Sequence, residues 1–298
     1  MPEQQRLPNY GGQALIEGVL MRGSNSLAAA FRKPNGEIII RTEKLSGIYT
    51  GNLKNIPLLR GLISLWDSLG LGMRYLTYSA NYQTGDDDPK IEGPTLYLTF
   101  TVSIVIAVVI FFLLPALIGQ WTDSLFKWSS WLGNLVEGFV RLIFLILYIW
   151  GVGKMSDIHR VFQYHGAEHK TINAYESRIE LTPKNLKPIS TQHPRCGTAF
   201  LLTLVVLSII VFTLLGPLSV FWRLLSRIIL LPVIAGLAYE YIRWTANHLQ
   251  NSFVWWMVKP NLALQRLTTA EPDETMLEVS IAAFNAMLKE EEKLQTSQ

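Results

Sequence analysis

Four of the five histidines in this 298-residue chain fall between positions 159 and 193. The densest group reads Tyr164-His165-Gly166-Ala167-Glu168-His169-Lys170. On a helix, His165 and His169 are one turn apart and share a face, so two imidazoles can hold one metal ion. Glu168 completes His-x-x-Glu-His, the inverted zinc-protease pattern in which the glutamate is the general base. The chemistry expected is hydrolysis by water activated at a divalent metal, zinc on this ligand set. The plain alternative is a histidine pair that caps a helix or bonds lipid phosphates. Gly166 weakens the helical reading, since glycine costs ~1 kcal/mol relative to alanine inside a helix.

A metal needs further ligands. His193 and Cys196, three residues apart, offer an imidazole and a thiol. Glu240 follows His169 by 71 residues and is a candidate from a later helix. The competing roles are a salt bridge from Glu240 to Arg243 or Arg195, and a small buried residue for Cys196. His159 lies about 120° around a helix from His165, so its role is supporting or structural.

The elements that must carry these residues follow from composition. Charged residues make up 16% of the chain and hydrophobic ones 49%, against roughly 25% charged in a soluble domain. The net charge is only +3, which argues against a nucleic-acid-binding protein. The single cysteine excludes an internal disulfide and a multi-cysteine zinc cluster.

Thr95–Gly119 and Ala199–Trp222 are uncharged runs of 25 and 24 residues, each long enough to cross a hydrocarbon core of about 30 Å. Leu132–Gly153 and Leu225–Arg243 are apolar apart from Glu137, Arg141, Arg227 and Glu240 near their ends. Long side chains there can reach the interface. The fold class is therefore a mainly α-helical polytopic membrane protein of four predicted spans, with re-entrant or interfacial helices as the alternative for the last two runs. Basic residues crowd the segment before Thr95 and the stretch Lys154–Gly197, so both termini and the central loop are expected to be cytoplasmic. Trp121, Trp128 and Trp131 suit the opposite interface. No cleavable signal peptide is expected, because Met1–Tyr10 lacks an apolar run.

Residues 1–50 read as a small β-rich cytoplasmic segment, with strands at Val19–Arg22, Leu27–Phe31 and Ile38–Arg41 and a turn at Pro34-Asn35-Gly36. Gly11, Gly12, Gly18 and Gly23 serve either as turn glycines or as points of close backbone approach. Residues 51–94 hold an amphipathic helix over Pro57–Ala80 and a polar linker at Gly85–Pro89. Spans one and two occupy 95–153, the His-x-x-Glu-His loop 154–198, and spans three and four 199–243. Residues 244–298 form an interfacial and cytoplasmic helical tail, possible to dock on the sheet through Met276, Leu277, Phe284 and Met287, with its acids solvated.

Several blocks together resemble the YqhQ-like family of bacterial membrane proteins. They are Gly11–Gly23, Tyr164–Thr171, His193–Thr198, Ala238-Tyr239-Glu240 and Gln265–Thr269, and they cover nearly the whole chain. The resemblance implies a domain of unknown function, catalogued as a predicted metal-dependent enzyme in the bacterial cytoplasmic membrane. It places Glu17, His165, Glu168, His169, His193, Cys196 and Glu240 in motif blocks. Glu17 stays open between a fourth ligand brought in by the β segment and an acid paired with Arg22.

The expected function is a membrane-embedded zinc-dependent hydrolase acting at the cytoplasmic surface on a membrane peptide or a lipid. The expected metal ligands are His165 and His169, completed from Glu240, His193 and Cys196. The rivals are a membrane scaffold or biogenesis factor with a closed structural metal site, a transporter, and a lipid-binding protein. Expected partners are the lipid bilayer and membrane proteins or peptides.

Overall fold

The structure, a computed structural model, describes residues 10–45, 56–83, 93–127 and 130–296. Trp128 and the Gly85–Pro89 linker lie outside them.

Four strands form an antiparallel meander: β1 (Gly11–Leu15), β2 (Gly18–Arg22), β3 (Ser26–Arg32) and β4 (Ile38–Lys44). Their register pairs Gly12 with Met21, Met21 with Ala28, and Phe31 with Ile39. The β3–β4 turn is the Pro34-Asn35-Gly36 segment, with Gly36 at φ +89°. Only glycine adopts that angle at no steric cost.

Alternation along the strands gives the sheet two buried faces. Leu15, Leu20, Leu27 and Phe31 pack on α1 (Leu59–Gln83) through Tyr75 and Leu71. Val19, Met21, Ala28 and Ala30 pack on α5 (Ser156–Glu176) and the C-terminal helix (Glu274–Thr296) through Tyr164, Ala167, Met276 and Phe284. The alanines of β3 keep that side flat enough for helices to approach. The C-terminal helix thus docks on the sheet. One of its acids is not solvated: Glu291 is buried and accepts from the backbone N–H groups of Asn25 and Ser26 at 2.7 and 2.8 Å.

Most of the remaining helices are apolar. α2 (Pro94–Val108) runs through a π-helical turn, Val109–Leu113, into α3 (Leu114–Phe126), and α4 (Ser130–Val152) follows. Leu96–Phe126 and Trp131–Val152 are long and apolar enough to cross a membrane. After α5 and the short α6 (Pro183–Leu186) come α7 (Thr198–Leu214), α8 (Val220–Ile229) and α9 (Leu231–Asn247). α7 is apolar but has 17 residues. α8 and α9 meet at a 44° bend and count as one further span only if taken together. Among the described residues the chain is therefore mainly helical, with two apolar helices of spanning length, or three if the bent pair is one. α10 (Ser252–Thr268) and α11 (Glu274–Thr296) complete the chain.

Glu137, Arg141 and Arg227 do not reach an interface, contrary to the expectation for span ends. All three are fully buried. Arg141 donates to Glu137 at 2.7 Å and to Ser208 at 2.8 Å. Arg227 donates to Glu137 and Asn134, while Arg223 donates to Asp123 and Asn134. For Arg141 the reason is local. Pro115 has no N–H to give to the carbonyl of Phe111 four residues back, and the π-helical turn sits at that point. Arg141 Nε donates to that carbonyl at 2.8 Å, so the cation repairs the break instead of reaching for water.

Candidate metal centre

His165, Glu168 and His169 all lie on α5, which is held against the sheet and α11 through Tyr164, Ala167 and Ile172. The helix starts with Asp157 in its first turn, a favourable charge for the positive end of the helix dipole. Gly166 is not a weak point in this setting. A β-carbon there would run into the carbonyl oxygen of Ala270. Its absence lets the segment after α10 cross α5 closely, and Ala270 N–H bonds to the Phe162 carbonyl at 2.9 Å.

That crossing orients the first histidine. His165 Nδ1 is 2.8 Å from the carbonyl oxygen of Thr268, and its Nε2 is 3.1 Å from Cys196 Sγ. One turn on, His169 Nδ1 is 2.6 Å from the carbonyl oxygen of Thr191. A carbonyl oxygen only accepts, so each Nδ1 carries the proton and each neutral ring keeps its lone pair on Nε2. His169 also bonds Cys196. The two rings lie 4.4 Å apart between centroids. Donor atoms of His165, His169 and Cys196 all fall within 4.8 Å of one another.

Cys196 is buried, in the turn that enters α7. Its sulfur receives the Thr198 N–H at 3.4 Å and sits 3.1 Å from the Thr198 hydroxyl. Burial pushes the His169 imidazole below its ordinary pKa, against the pull of Cys196 and the Thr191 carbonyl. That favours the neutral, ligand-competent form. The donor set, two imidazoles and a thiol with carbonyls fixing both tautomers, fits a zinc ion.

Glu168 is buried beside this group, and its Oε2 has no hydrogen-bond partner among the described residues. Burial raises its carboxyl to about 7, with His165 pulling the other way. It lines a cavity of about 600 Å³ together with His169, His193 and Cys196.

The other residues singled out from sequence stand elsewhere. Glu240 is not with the cluster. It takes both Nε (2.6 Å) and Nη2 of Arg60, and the Leu58 N–H at 3.2 Å. The salt bridge is real, but its partner is neither Arg243 nor Arg195. His193 lines the same cavity, yet both its nitrogens are engaged. Nδ1 accepts from the Arg195 N–H at 3.3 Å, and Nε2 lies 3.5 Å from Glu176. Glu17 faces Arg160 at 2.5 and 2.6 Å and the Tyr164 hydroxyl, not Arg22, which pairs with Asp67. Its backbone has φ +51° because it turns the β1–β2 hairpin. His159 is exposed and apart from the cluster.

Sequence reasoning missed Glu176 and Thr191, and it placed Gln265 and Thr268 in a motif block without a role. Glu176 stands seven residues beyond His169 on the same helix face, a legible signal. It holds His193 and Arg195. Gln265 clamps His193 through its backbone N–H and carbonyl, both at 2.9 Å. Thr191 and Thr268 act through main-chain carbonyls, which no side-chain pattern reveals.

The family profile "Protein of unknown function (DUF1385)" matches residues 56–290. The chain is 32% identical over 297 residues to "Uncharacterized protein YqhQ" of Bacillus subtilis (strain 168), covering 95% of this chain and 93% of that protein. No solved structure matches it.

Proposed function

The chain belongs to the DUF1385 family, and from that premise we propose a metal-dependent hydrolase of the bacterial cytoplasmic membrane with its site at the cytoplasmic face. One observation carries the reading: two imidazoles have Nδ1 committed to carbonyls, and both rings engage one thiol. A cysteine nucleophile needs only one such imidazole. Two, converging on a thiol, form a three-residue donor set of the kind that leaves a catalytic zinc one open position.

When bound, zinc supplies Lewis acidity that activates water. Glu168 is the general base. Its unengaged Oε2 takes the proton as the water oxygen bonds to the electrophilic carbon or phosphorus. The same proton passes to the leaving oxygen or nitrogen as that bond breaks. The carbonyls of Thr191 and Thr268 hold the two rings in place throughout.

The membrane reading is four passes: α2–α3, α4, α7 and the bent α8–α9 pair. Its support is parity. The sheet, α5 and α11 pack into one core, so an even number of crossings separates each from the next. If α7 crosses, α8–α9 must return the chain. The basic residues of the central loop favour the cytoplasm for that layer.

The test is metal analysis by mass spectrometry on untagged protein in detergent, followed by a hydrolysis screen of the wild type beside Glu168→Gln. One zinc per chain in both, with turnover lost only in the variant, is the expected result. A folded, zinc-replete sample without stoichiometric metal overturns the reading. Retained metal with no Glu168-dependent turnover favours a scaffold.

A further inference from the structure

The cavity beside Glu168 has two kinds of wall. One is polar and basic: Arg22, Arg195 and Arg243 line it, with Glu168 the only acid among the lining residues. Arg22 and Arg195 already pair with Asp67 and Glu176. Arg243 has no hydrogen bond or ion pair of its own among the described residues; its charge acts on Glu240, which Arg60 holds. The other wall is apolar and includes Leu65 and Leu71 of α1.

Leu65 and Leu71 also line a second space of about 720 Å³ between α1 and the start of α9. That groove is walled by Leu62, Ile63, Trp66, Leu69, Leu231 and Ala235, among others. Its charged neighbours, Asp67 and Arg74, are paired with Arg22 and Glu43. Trp66 and Leu69 are 77% and 55% exposed, an apolar surface beside a helix that belongs to the membrane reading. A basic polar space thus adjoins a groove that is apolar along its length.

We infer that these two spaces seat an anionic glycerophospholipid, its phosphate against Arg243 at the polar end and an acyl chain in the α1–α9 groove. A peptide laid in that groove would bury backbone N–H and C=O groups against hydrocarbon, whereas an acyl chain has none to satisfy. As a substrate, this lipid rests on the hydrolase reading; as a ligand, it rests only on the two spaces.

The experiment uses the full chain, stripped of lipid in neutral detergent and titrated with phosphatidylglycerol or phosphatidylcholine, binding being read by native mass spectrometry. Phosphatidylglycerol should bind about tenfold more tightly, a typical margin for one charge-assisted contact. Arg243→Gln should bring the ratio close to one. Leu65→Trp, which fills the junction, should weaken both lipids about tenfold; zinc content and circular dichroism establish that each variant is folded. Equal binding of the two lipids, or selectivity unchanged in Arg243→Gln, overturns the inference. So does a hydrophobic peptide that binds with Arg243 dependence where the lipids do not. Selective lipid binding without any turnover keeps the lipid seat and removes the hydrolase. Turnover of a soluble ester without lipid binding does the reverse.

Discussion

The Glu168 side chain rests on the bare backbone of Gly12. A β-carbon at position 12 would lie 2.9 Å from both Cγ and Cδ of Glu168, and 2.5 Å from the Leu20 carbonyl oxygen. The missing side chain is what lets β1 close over α5 at the proposed base. Gly12→Ala should therefore cost about 1–3 kcal/mol, the usual penalty of an overpacked site. Thermal unfolding in detergent checks this. Zinc should stay bound, because position 12 touches no proposed ligand, while turnover falls as Glu168 is displaced.

The proposed ligand set is narrower than spacing alone allowed. His165→Ala, His169→Ala and Cys196→Ser should each lower bound zinc to a small fraction of one per chain. His193→Gln and Glu240→Gln should retain it, since Glu176 and Arg60 already occupy those groups. Mass-spectrometric metal counts on the five purified variants decide the matter. Loss of zinc in Glu240→Gln would restore Glu240 to the ligand set.

Glu137 is the anion that Arg141 and Arg227 share, and all three are fully buried. Removing it leaves two buried guanidinium groups short of their counter-charge. Glu137→Ala should destabilise the helical layer by about 3–5 kcal/mol, the range for breaking a buried pair from one side. The readout is a loss of folded protein on extraction, or a fall in the unfolding midpoint. A variant as stable as the wild type would show the network to be dispensable.

Asp273 caps α11. Its carboxylate accepts the Met276 N–H at 2.9 Å and the Thr275 hydroxyl at 2.6 Å. Burial raises its pKa, but those hydrogen bonds and the charge of Arg160 outweigh it, so the net shift is downward from 3.8. A depressed acid contributes stability that is complete above its unfolded pKa and is lost as the pH falls through the folded one. The cap should therefore weaken only below about pH 4. The acid-sensitive part is at most ~1 kcal/mol, the size of a cap, and is reduced by solvent screening. Asp273→Asn caps without titrating, so it should flatten this segment of the stability–pH curve. Hydrogen exchange across 274–296 at pH 6 and pH 3 measures it.

The sequence by itself determined the elements with strong local signals. The Pro34-Asn35-Gly36 turn, the strand alternation around it, the amphipathic helix of α1 and the apolar run Thr95–Gly119 need only neighbours in sequence to be read, whereas Ala199–Trp222 is divided between α7, which ends at Leu214, and α8. The shared face of His165 and His169 also needs only neighbours, because four residues make about one helical turn. Tertiary structure decided what long-range partners do. It gave Glu240 to Arg60 rather than to the cluster, and Glu17 to Arg160 rather than to Arg22. It turned Arg141 inward to the Phe111 carbonyl, which Pro115 has no N–H to bond, and gathered Glu137 and Arg227 around that guanidinium. It fixed both histidine tautomers through the carbonyls of Thr191 and Thr268. A main-chain carbonyl is the same at every residue, so its role depends on where the fold brings it and on nothing the side-chain pattern records.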